Sequence, residues 1–177
     1  MKKKMLYLAA LLCCLFTFTS CGDDGDDGPT SEATGTYTIT FSPDFFKVAK
    51  HVNIYYKGAN GENKNDVVMA GSVLPWTKTI KSTRFPAELG YKIVIEPKEE
   101  SEITDGTYTL EVVGAINGAV NTGGFFSNNQ QMLNKTEFKA GETSKMLKWL
   151  KDNKEKSYGY KLGKDGNAIP YTPAFGS

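Results

Sequence analysis

Aromatic and amide side chains that could bind a ligand are concentrated in residues 114–131, a stretch rich in Gly, Asn and Gln. Aromatic rings stack on the faces of sugar rings, and side-chain amides form hydrogen bonds with sugar hydroxyls. The stretch is longer than an ordinary connection, which predicts a long functional loop. Together with a tryptophan earlier in the chain, this stretch predicts a glycan site. Its residues would be Trp76, Asn121, Phe125, Phe126, Asn128, Asn129 and Gln130. The alternative is that the rings belong to the core and the amides only solvate a loop.

Residues suited to catalysis or metal binding are few. His51 is the only histidine, and no nucleophile-elbow pattern surrounds any serine. Glu99, Glu100, Glu102 and Asp105 crowd one short segment, where their oxygens could hold calcium, but a solvated acidic turn is the favoured interpretation. No pair of carboxylates stands out for glycoside hydrolysis. We therefore expect no enzyme activity, no cofactor and no metal site.

The amino-terminal segment has the pattern of a signal peptide. Lys2, Lys3 and Lys4 precede a mostly apolar run over residues 6–18. A positive start followed by a short apolar segment is typical of secretion signals, and about a dozen residues are too few to span a bilayer. The sequence therefore predicts that residues 1–20 are removed.

The end of this run, Phe18-Thr19-Ser20-Cys21-Gly22, resembles the lipobox of bacterial lipoproteins: an apolar residue, two small residues and then the cysteine. Phe18 stands where such proteins most often have leucine. The resemblance implies that Cys21 carries a diacylglycerol group, that cleavage occurs just before it, and that the new amino terminus is also acylated, for example by palmitate. Two or more acyl chains anchor a protein stably, whereas one binds marginally.

An acidic run follows the cysteine at once and contains Asp23, Asp24, Asp26 and Asp27, separated by glycines. It is similar to the acidic export signal of Bacteroidota lipoproteins, which implies a lipid-anchored protein on the outside of the outer membrane. The alternative is a flexible acidic tether that leaves the domain on the periplasmic face, since Gly and Asp cannot build a core. A calcium loop is excluded by spacing, because the run lacks the final glutamate.

Composition limits the remaining possibilities. The chain has 177 residues and a formal charge of +1, which falls to about −2 once the three amino-terminal lysines are removed, so we expect no nucleic-acid partner. Cys13 and Cys14 leave with the signal peptide and Cys21 is acylated, which excludes disulfides and thiolate metal sites from the folded part. The length fits a signal peptide at 1–20, a lipidated cysteine and acidic tether at 21–34, and one β-rich domain at 35–177.

Residues 35–113 alternate between apolar and polar side chains in several short runs. In the first run, Tyr37, Ile39 and Phe41 share one face and threonines occupy the other, which indicates a half-buried strand. Further runs with turn residues between them predict strands at 51–57, 66–70, 76–82, 91–96 and 107–113. Short strands at this spacing predict an all-β, mainly antiparallel sandwich. The alternative is a lipocalin-like β-barrel.

One segment resembles part of an immunoglobulin domain. Gly106-Thr107-Tyr108-Thr109-Leu110 is similar to the G-x-Y-x-C segment, in which the tyrosine bonds back to the backbone and makes a corner. Residues 35–39 repeat almost the same string, as the shared strand preferences of Tyr and Thr would produce. The resemblance implies an immunoglobulin or fibronectin type III-like sandwich.

One amphipathic helix is predicted near the carboxyl terminus, over residues 143–155. Its apolar stripe contains Met146, Leu147, Trp149 and Leu150. A basic amphipathic helix can lie on a membrane, or it can pack across the sandwich with its lysines in solvent. We favour packing, because Asp152 and Glu155 dilute the basic face. A hairpin over residues 158–173 is expected to close the chain.

Two hypotheses of function follow. The first is a surface binding module for glycan, in which adjacent Phe125 and Phe126 point to opposite sides of an extended backbone, so that one anchors the loop and the other faces the ligand. The second is a structural or protein-interaction lipoprotein whose exposed sheet edge meets another chain. Coplanar exposed rings favour the first hypothesis, and an uncovered flat edge strand favours the second.

Overall fold

The computed structural model of the protein describes residues 30–176. This part of the chain folds as an all-β sandwich of two antiparallel sheets, which confirms the predicted fold class. The predicted signal peptide, Cys21 and the four aspartates of the acidic run lie outside the described residues. Within 30–176, none of the helices is long and apolar enough to cross a bilayer.

Nine strands and two short α-helices make up the described sandwich. In chain order they are β1 (Ala33–Phe41), α1 (Phe45–Val48), β2 (Ala49–Lys57), β3 (Asn63–Met69), β4 (Trp76–Ser82), β5 (Ala87–Pro97), β6 (Tyr108–Val120), β7 (Phe125–Phe138), α2 (Thr143–Asp152), β8 (Glu155–Leu162) and β9 (Ala168–Pro170). One sheet, called sheet A here, has the order β4-β1-β6-β7, and the other, sheet B, has the order β3-β2-β5-β8-β9. Each sheet keeps two edge strands, so the described chain forms a sandwich rather than the alternative closed barrel.

The core lies between the inward faces that the alternation predicted. On β1, β2, β5 and β6 the buried side chains include every residue predicted to point inward: Tyr37, Ile39, Phe41, Val52, Ile54, Tyr56, Tyr91, Ile93, Ile95, Tyr108, Leu110 and Val112. At its centre, Tyr37 meets Tyr56 and Tyr91 edge to face, with ring centroids 6.1 Å apart in both pairs. Such aromatic pairs stabilise the junction between the sheets beyond their buried area.

The two similar tyrosine strings behave differently. Tyr108 donates its hydroxyl hydrogen to the carbonyl oxygen of Thr104, four residues upstream, which is the corner that the immunoglobulin resemblance predicts. Tyr37 instead donates to the carbonyl oxygen of Lys57 across the core at 2.7 Å. The strand order also has its own pattern, because immunoglobulin constant domains group strands A, B, E and D against C, F and G, whereas here the first, fourth, sixth and seventh strands share a sheet.

The start of the domain and the stretch at 114–131 differ from the sequence-based expectation. The folded domain begins at Ala33 rather than at residue 35, because Ala33 pairs with both Ser82 and Val120. The long loop predicted over residues 114–131 is wrong, since β6 and β7 form one long hairpin whose turn covers only residues 121–124. Glycine is poor in strands unless another group needs its space. Here the ring of Tyr91 lies where a side chain at Gly114 would stand.

The helix α2 packs into the sandwich. Met146, Leu147 and Leu150 are buried, and the Trp149 ring lies 5.5 Å from that of Phe138. The helix ends at Asp152 rather than at 155, because Glu155 already pairs with Val94 as the first residue of β8. The final hairpin, β8–β9, is present as predicted.

Candidate functional site

Trp76 does not lie near the other predicted glycan-binding residues. It begins β4, on the edge of sheet A opposite to β7, and only 6% of its surface is exposed. Its ring packs on Tyr56 at 5.4 Å, and its indole N–H donates to the Asp66 carboxylate at 3.0 Å. Because Asp66 belongs to β3, Trp76 joins the two sheets and has little free surface for stacking on a ligand.

The Asn121 side chain binds the backbone of residues 30–32, which precede β1. Its side-chain oxygen accepts from the N–H of Glu32 at 2.9 Å, and its amide nitrogen donates to the Thr30 carbonyl at 3.0 Å. The amide is therefore occupied by backbone partners. This contact places residues 30–32 beside the β6–β7 turn.

The remaining predicted residues lie on β7 and divide between its two sides. Phe126, Asn128 and Gln130 point toward sheet B, where Phe126 packs on Tyr160 at 5.1 Å and the Gln130 amide donates to the side-chain oxygens of Asn128 and Tyr160. Phe125 and Asn129 point outward into solvent. The opposite orientation of the two phenylalanines agrees with the expectation for an extended backbone, although the backbone is a strand and not a loop.

The outward side of sheet A carries mostly small neutral side chains, and we call this surface the threonine face. Cross-strand pairing arranges it in rows. Thr79-Thr36-Asn117-Ser127 and Thr77-Thr38-Ala115-Asn129 cross all four strands, Lys81-Thr34-Ala119-Phe125 has a lysine at its β4 end, and Thr40-Val113-Gln131 crosses β1, β6 and β7. Neighbouring strands lie about 4.8 Å apart and successive rows about 6.8 Å apart. The hydroxyl oxygens of Thr36 and Thr79 lie 3.3 Å from each other, so adjacent members of a row are in contact.

Charge is restricted to the borders of the threonine face. Lys81 lies at one corner, where it forms an ion pair with Glu32 at 2.8 Å, and Glu111 lies at the other end, where it accepts from Gln131 at 3.1 Å. Between them the rows carry hydroxyls, amides, methyl groups and one aromatic ring. Among the described residues of this face, Phe125 is the one large apolar side chain that is mostly exposed, at 69%. The arrangement can hydrogen-bond and stack with a neutral partner over a wide flat area.

A shallow depression of about 460 Å³ continues the face beyond Thr40. Its lining includes Glu111, Lys135 and Asp44. The Lys47 ammonium at 2.8 Å and the N–H of Thr109 at 3.0 Å hold the pKa of Asp44 below its usual range. Asp44 therefore stays ionised and fixed at this end of the surface.

The outward side of sheet B is covered in part. Gly90 and Gly159 face each other on β5 and β8, and the Pro173 ring lies 3.0 Å from where a side chain would stand at either position. The carboxyl-terminal segment that passes through this trough continues over β2, where the Phe175 ring lies 6.3 Å from that of Tyr55 and 5.4 Å from the Lys57 ammonium. We call residues 171–176 the strap. The strap thus covers the β5–β8 part of sheet B and reaches β2.

The residues considered for catalysis or metal binding belong to a strand and to a turn. His51 lies on the outward side of β2, paired with Met69 and Glu96. In the acidic segment, the Glu102 carboxylate accepts a hydrogen bond from the backbone N–H of Glu99 at 2.9 Å. The Asp105 carboxylate accepts one from the backbone N–H of Gly141 at 2.7 Å. Within residues 30–176, no three His, Cys, Asp or Glu side chains come together as metal ligands would.

Sequence reasoning missed the threonine face as a unit. The signal was present in the alternation of Thr34, Thr36, Thr38 and Thr40 along β1. Its extension to β4, β6 and β7 depends on strand order, which the alternation does not encode. No protein-family model, curated protein or solved structure matches this chain. Its function is therefore argued from the geometry of this face and of the neighbouring strand edge.

Proposed function

We propose that this protein is a lipid-anchored surface binding module that holds a neutral, extended glycan on the threonine face. The observation that carries the proposal is the pair of uncharged central rows, made of hydroxyls, amides and one alanine methyl group, that spans all four strands of sheet A, with charge only at the borders of the face. Hydroxyl and amide groups both donate and accept hydrogen bonds, as sugar hydroxyls do. A flat surface without charge complements a neutral polymer better than it complements a protein or lipid headgroup of either sign.

Phe125 gives the face an aromatic ring at one border. Its ring is free to stack, because the anchoring role expected of one phenylalanine is taken by Phe126 on Tyr160. Trp76, Asn121, Asn128 and Gln130 do not take part in this form of the site, since their polar groups or rings are used inside the fold. The proposal therefore retains Phe125 and Asn129 from the sequence-based set and adds the threonine rows.

The anchor is supported by the lipobox-like and acidic sequences before residue 29. Cys21→Ala should abolish labelling by a radioactive fatty acid, and continued labelling would contradict lipidation at this residue. Replacing Asp23, Asp24, Asp26 and Asp27 by Asn should preserve labelling but reduce cleavage by external protease on intact cells. Unchanged cleavage would favour the tether alternative over an export signal.

Glycan binding is tested with the full chain in mild detergent and a panel of insoluble neutral polysaccharides, with an anionic polysaccharide for comparison. Thr38→Lys places a charge at the centre of the face, and we expect retention on the neutral polymer to fall about tenfold, equivalent to about 1.4 kcal/mol. Asn53→Lys is the matched control, because Asn53 faces outward from the middle of sheet B. Phe125→Ala should weaken retention without changing the unfolding midpoint, since an exposed ring contributes little to stability.

The result that contradicts the proposal is equally specific. If none of the polysaccharides is retained, or if Thr38→Lys and Asn53→Lys behave alike, the threonine face is not the binding surface. A second candidate function, protein interaction, is favoured by a separate observation, the uncovered edge strand β7. Its partner is inferred below.

A further inference from the structure

The strand β7 presents a long backbone edge with no partner in the described chain. It is 14 residues long and pairs only with β6. An uncovered strand edge carries a row of free N–H and C=O groups that can pair with another chain. We propose that β7 pairs antiparallel with β7 of a second copy of this protein, through residues 125–131.

The other edge strands carry features that oppose such pairing, whereas the first half of β7, residues 125–131, does not. Along β3 and β4 there are lysines at 64, 78 and 81, and β9 has only three residues and ends in Pro170. Lysines, short length and proline are the usual protections of an exposed edge. In contrast, residues 125–133 of β7 contain no charged residue and no proline or glycine. Within the described fold, β7 is therefore the edge that lacks these protections.

The geometry of β7 limits the pairing segment to its first half. From Phe125 to Gln131 the register with β6 is regular, and it shifts only beyond Gln131. At that point the Gln131 amide donates to the carbonyl oxygen of Leu133 at 2.8 Å and satisfies a backbone group of the same strand. The regular segment, from 125 to 131, is long enough for a strand pair, since strands are usually about five to six residues long.

This segment is self-complementary when it is centred on Asn128. In that register Asn128 meets Asn128 of the second copy, Phe126 meets Gln130, and Ser127 meets Asn129. Amide side chains stacked on their own kind form hydrogen-bonded ladders, and no like charges oppose each other. A second copy satisfies this pattern along the whole segment, which is why we choose it over an extended peptide from another protein.

Several side chains beside the free edge of β7 are also only partly buried. Phe126, Asn128, Gln130 and Tyr160 are all half-buried where β7 faces β8. A paired copy would remove this mixed aromatic and amide surface from water. Burial of Phe126 and Tyr160 adds a hydrophobic contribution to the backbone pairing.

The pairing changes the scale of sheet A. Antiparallel strands related residue by residue have a two-fold axis perpendicular to the sheet, so the outward faces of both copies point the same way. The two four-stranded sheets then become one continuous sheet with a doubled threonine face. Pairing requires only the β7 edge, so its loss can be measured separately from glycan binding.

The first experiment compares two double variants of the full chain in mild detergent. Ser127→Lys with Asn129→Lys sets lysines opposite each other in the proposed pair, whereas Thr77→Lys with Thr79→Lys adds the same charges to the same face at the β4 edge. We expect the parent and the β4 variant to have a protein mass near twice that of one chain, which is 19.4 kDa before any processing, and the β7 variant to have the mass of one chain. Both double variants should lose glycan retention, but only the β7 variant should lose pairing. The measured mass therefore reports pairing independently of glycan binding.

A second measurement locates the contact. Asn128→Cys should give an oxidised dimer, because the two sulfurs face each other at the axis within disulfide reach. Asn129→Cys, in the same background, should not, because its partner is Ser127. A monomeric parent at all concentrations, a dimer that survives the β7 lysines, or equal crosslinking by both cysteine variants would overturn the proposal.

Discussion

Two buried tyrosines allow the same substitution to be made with opposite expected effects on stability. The side chains of Tyr37 and Tyr91 are both fully buried, with 0% exposure. The Tyr37 hydroxyl donates to the Lys57 carbonyl at 2.7 Å and accepts from the N–H of Gly90 at 3.2 Å. The Tyr91 hydroxyl has no hydrogen-bond partner among the described residues and lies beneath Gly114.

The expected changes in the free energy of unfolding follow from the hydrogen bonds of the two hydroxyls. Tyr37→Phe leaves two buried backbone groups without their bond to the hydroxyl, so we expect the free energy of unfolding to fall by about 1–3 kcal/mol. Tyr91→Phe removes a buried hydroxyl whose desolvation is not offset by any bond, and we expect it to raise the free energy of unfolding by about 1 kcal/mol. Loss of the oxygen leaves little void at position 91, because Gly114 brings the backbone close on that side.

The assay is equilibrium unfolding in urea, with the midpoint and the slope fitted for each variant. The slope should be unchanged, so that the midpoints report stability directly. The two variants should lie on opposite sides of the parent. Equal destabilisation by both would refute the reasoning, because it would show that the Tyr91 hydroxyl has a favourable interaction that its surroundings do not reveal.

Three further predictions concern other parts of the fold. Burial raises the pKa of the Tyr37 and Tyr91 hydroxyls, so the free energy of unfolding should decline as the pH rises above about 10, the ordinary pKa of tyrosine. Tyr91→Phe should lessen that decline in denaturation measured from about pH 8 to about pH 11. An unchanged decline would contradict this expectation. Leu150→Ala on α2 should lower the free energy of unfolding by about 2–4 kcal/mol, whereas Lys151→Ala should change it little. A loss under about 0.5 kcal/mol for Leu150→Ala would indicate a helix that does not pack on the core. Gly159→Ala would set a methyl group 2.7 Å from the Tyr171 ring, so the strap should become sensitive to limited proteolysis, whereas Gly106→Ala, with its nearest neighbours at 3.9 Å, should leave it protected.

Local patterns in the sequence were sufficient to predict the strands that have one buried face. The alternation along β2, in which Val52, Ile54 and Tyr56 point inward, has a period of two residues. The same period correctly predicted the inward side chains at 37–41 of β1, at 91–95 of β5 and at 108–112 of β6. The Tyr108 corner was also predictable, because its acceptor, the Thr104 carbonyl, lies only four residues away. These features need no knowledge of distant contacts.

The β6–β7 hairpin could not be predicted in the same way. Gly114, Gly118 and the amides of β7 have low strand preference individually, and they are accommodated because neighbouring side chains fill the space above the glycines. Phe126 and Leu162 lie close to Gly118, and Tyr91 lies close to Gly114. Those contacts depend on strand order, so the candidate site was predicted only in part: Phe125 and Asn129 belong to the threonine face, whereas its rows required the three-dimensional arrangement.

The position at which the chain joins the sandwich has a mechanical consequence. Residues before Thr30 lead directly into β1, which has β4 on one side and β6 on the other. A pull applied through that segment first meets the Asn121 side chain, which holds Thr30 and Glu32, and then acts along a strand bonded on both flanks. A pull directed along β1 would load its hydrogen bonds to β4 and β6 together, and resistance to forced unfolding is governed by the unfolding rate.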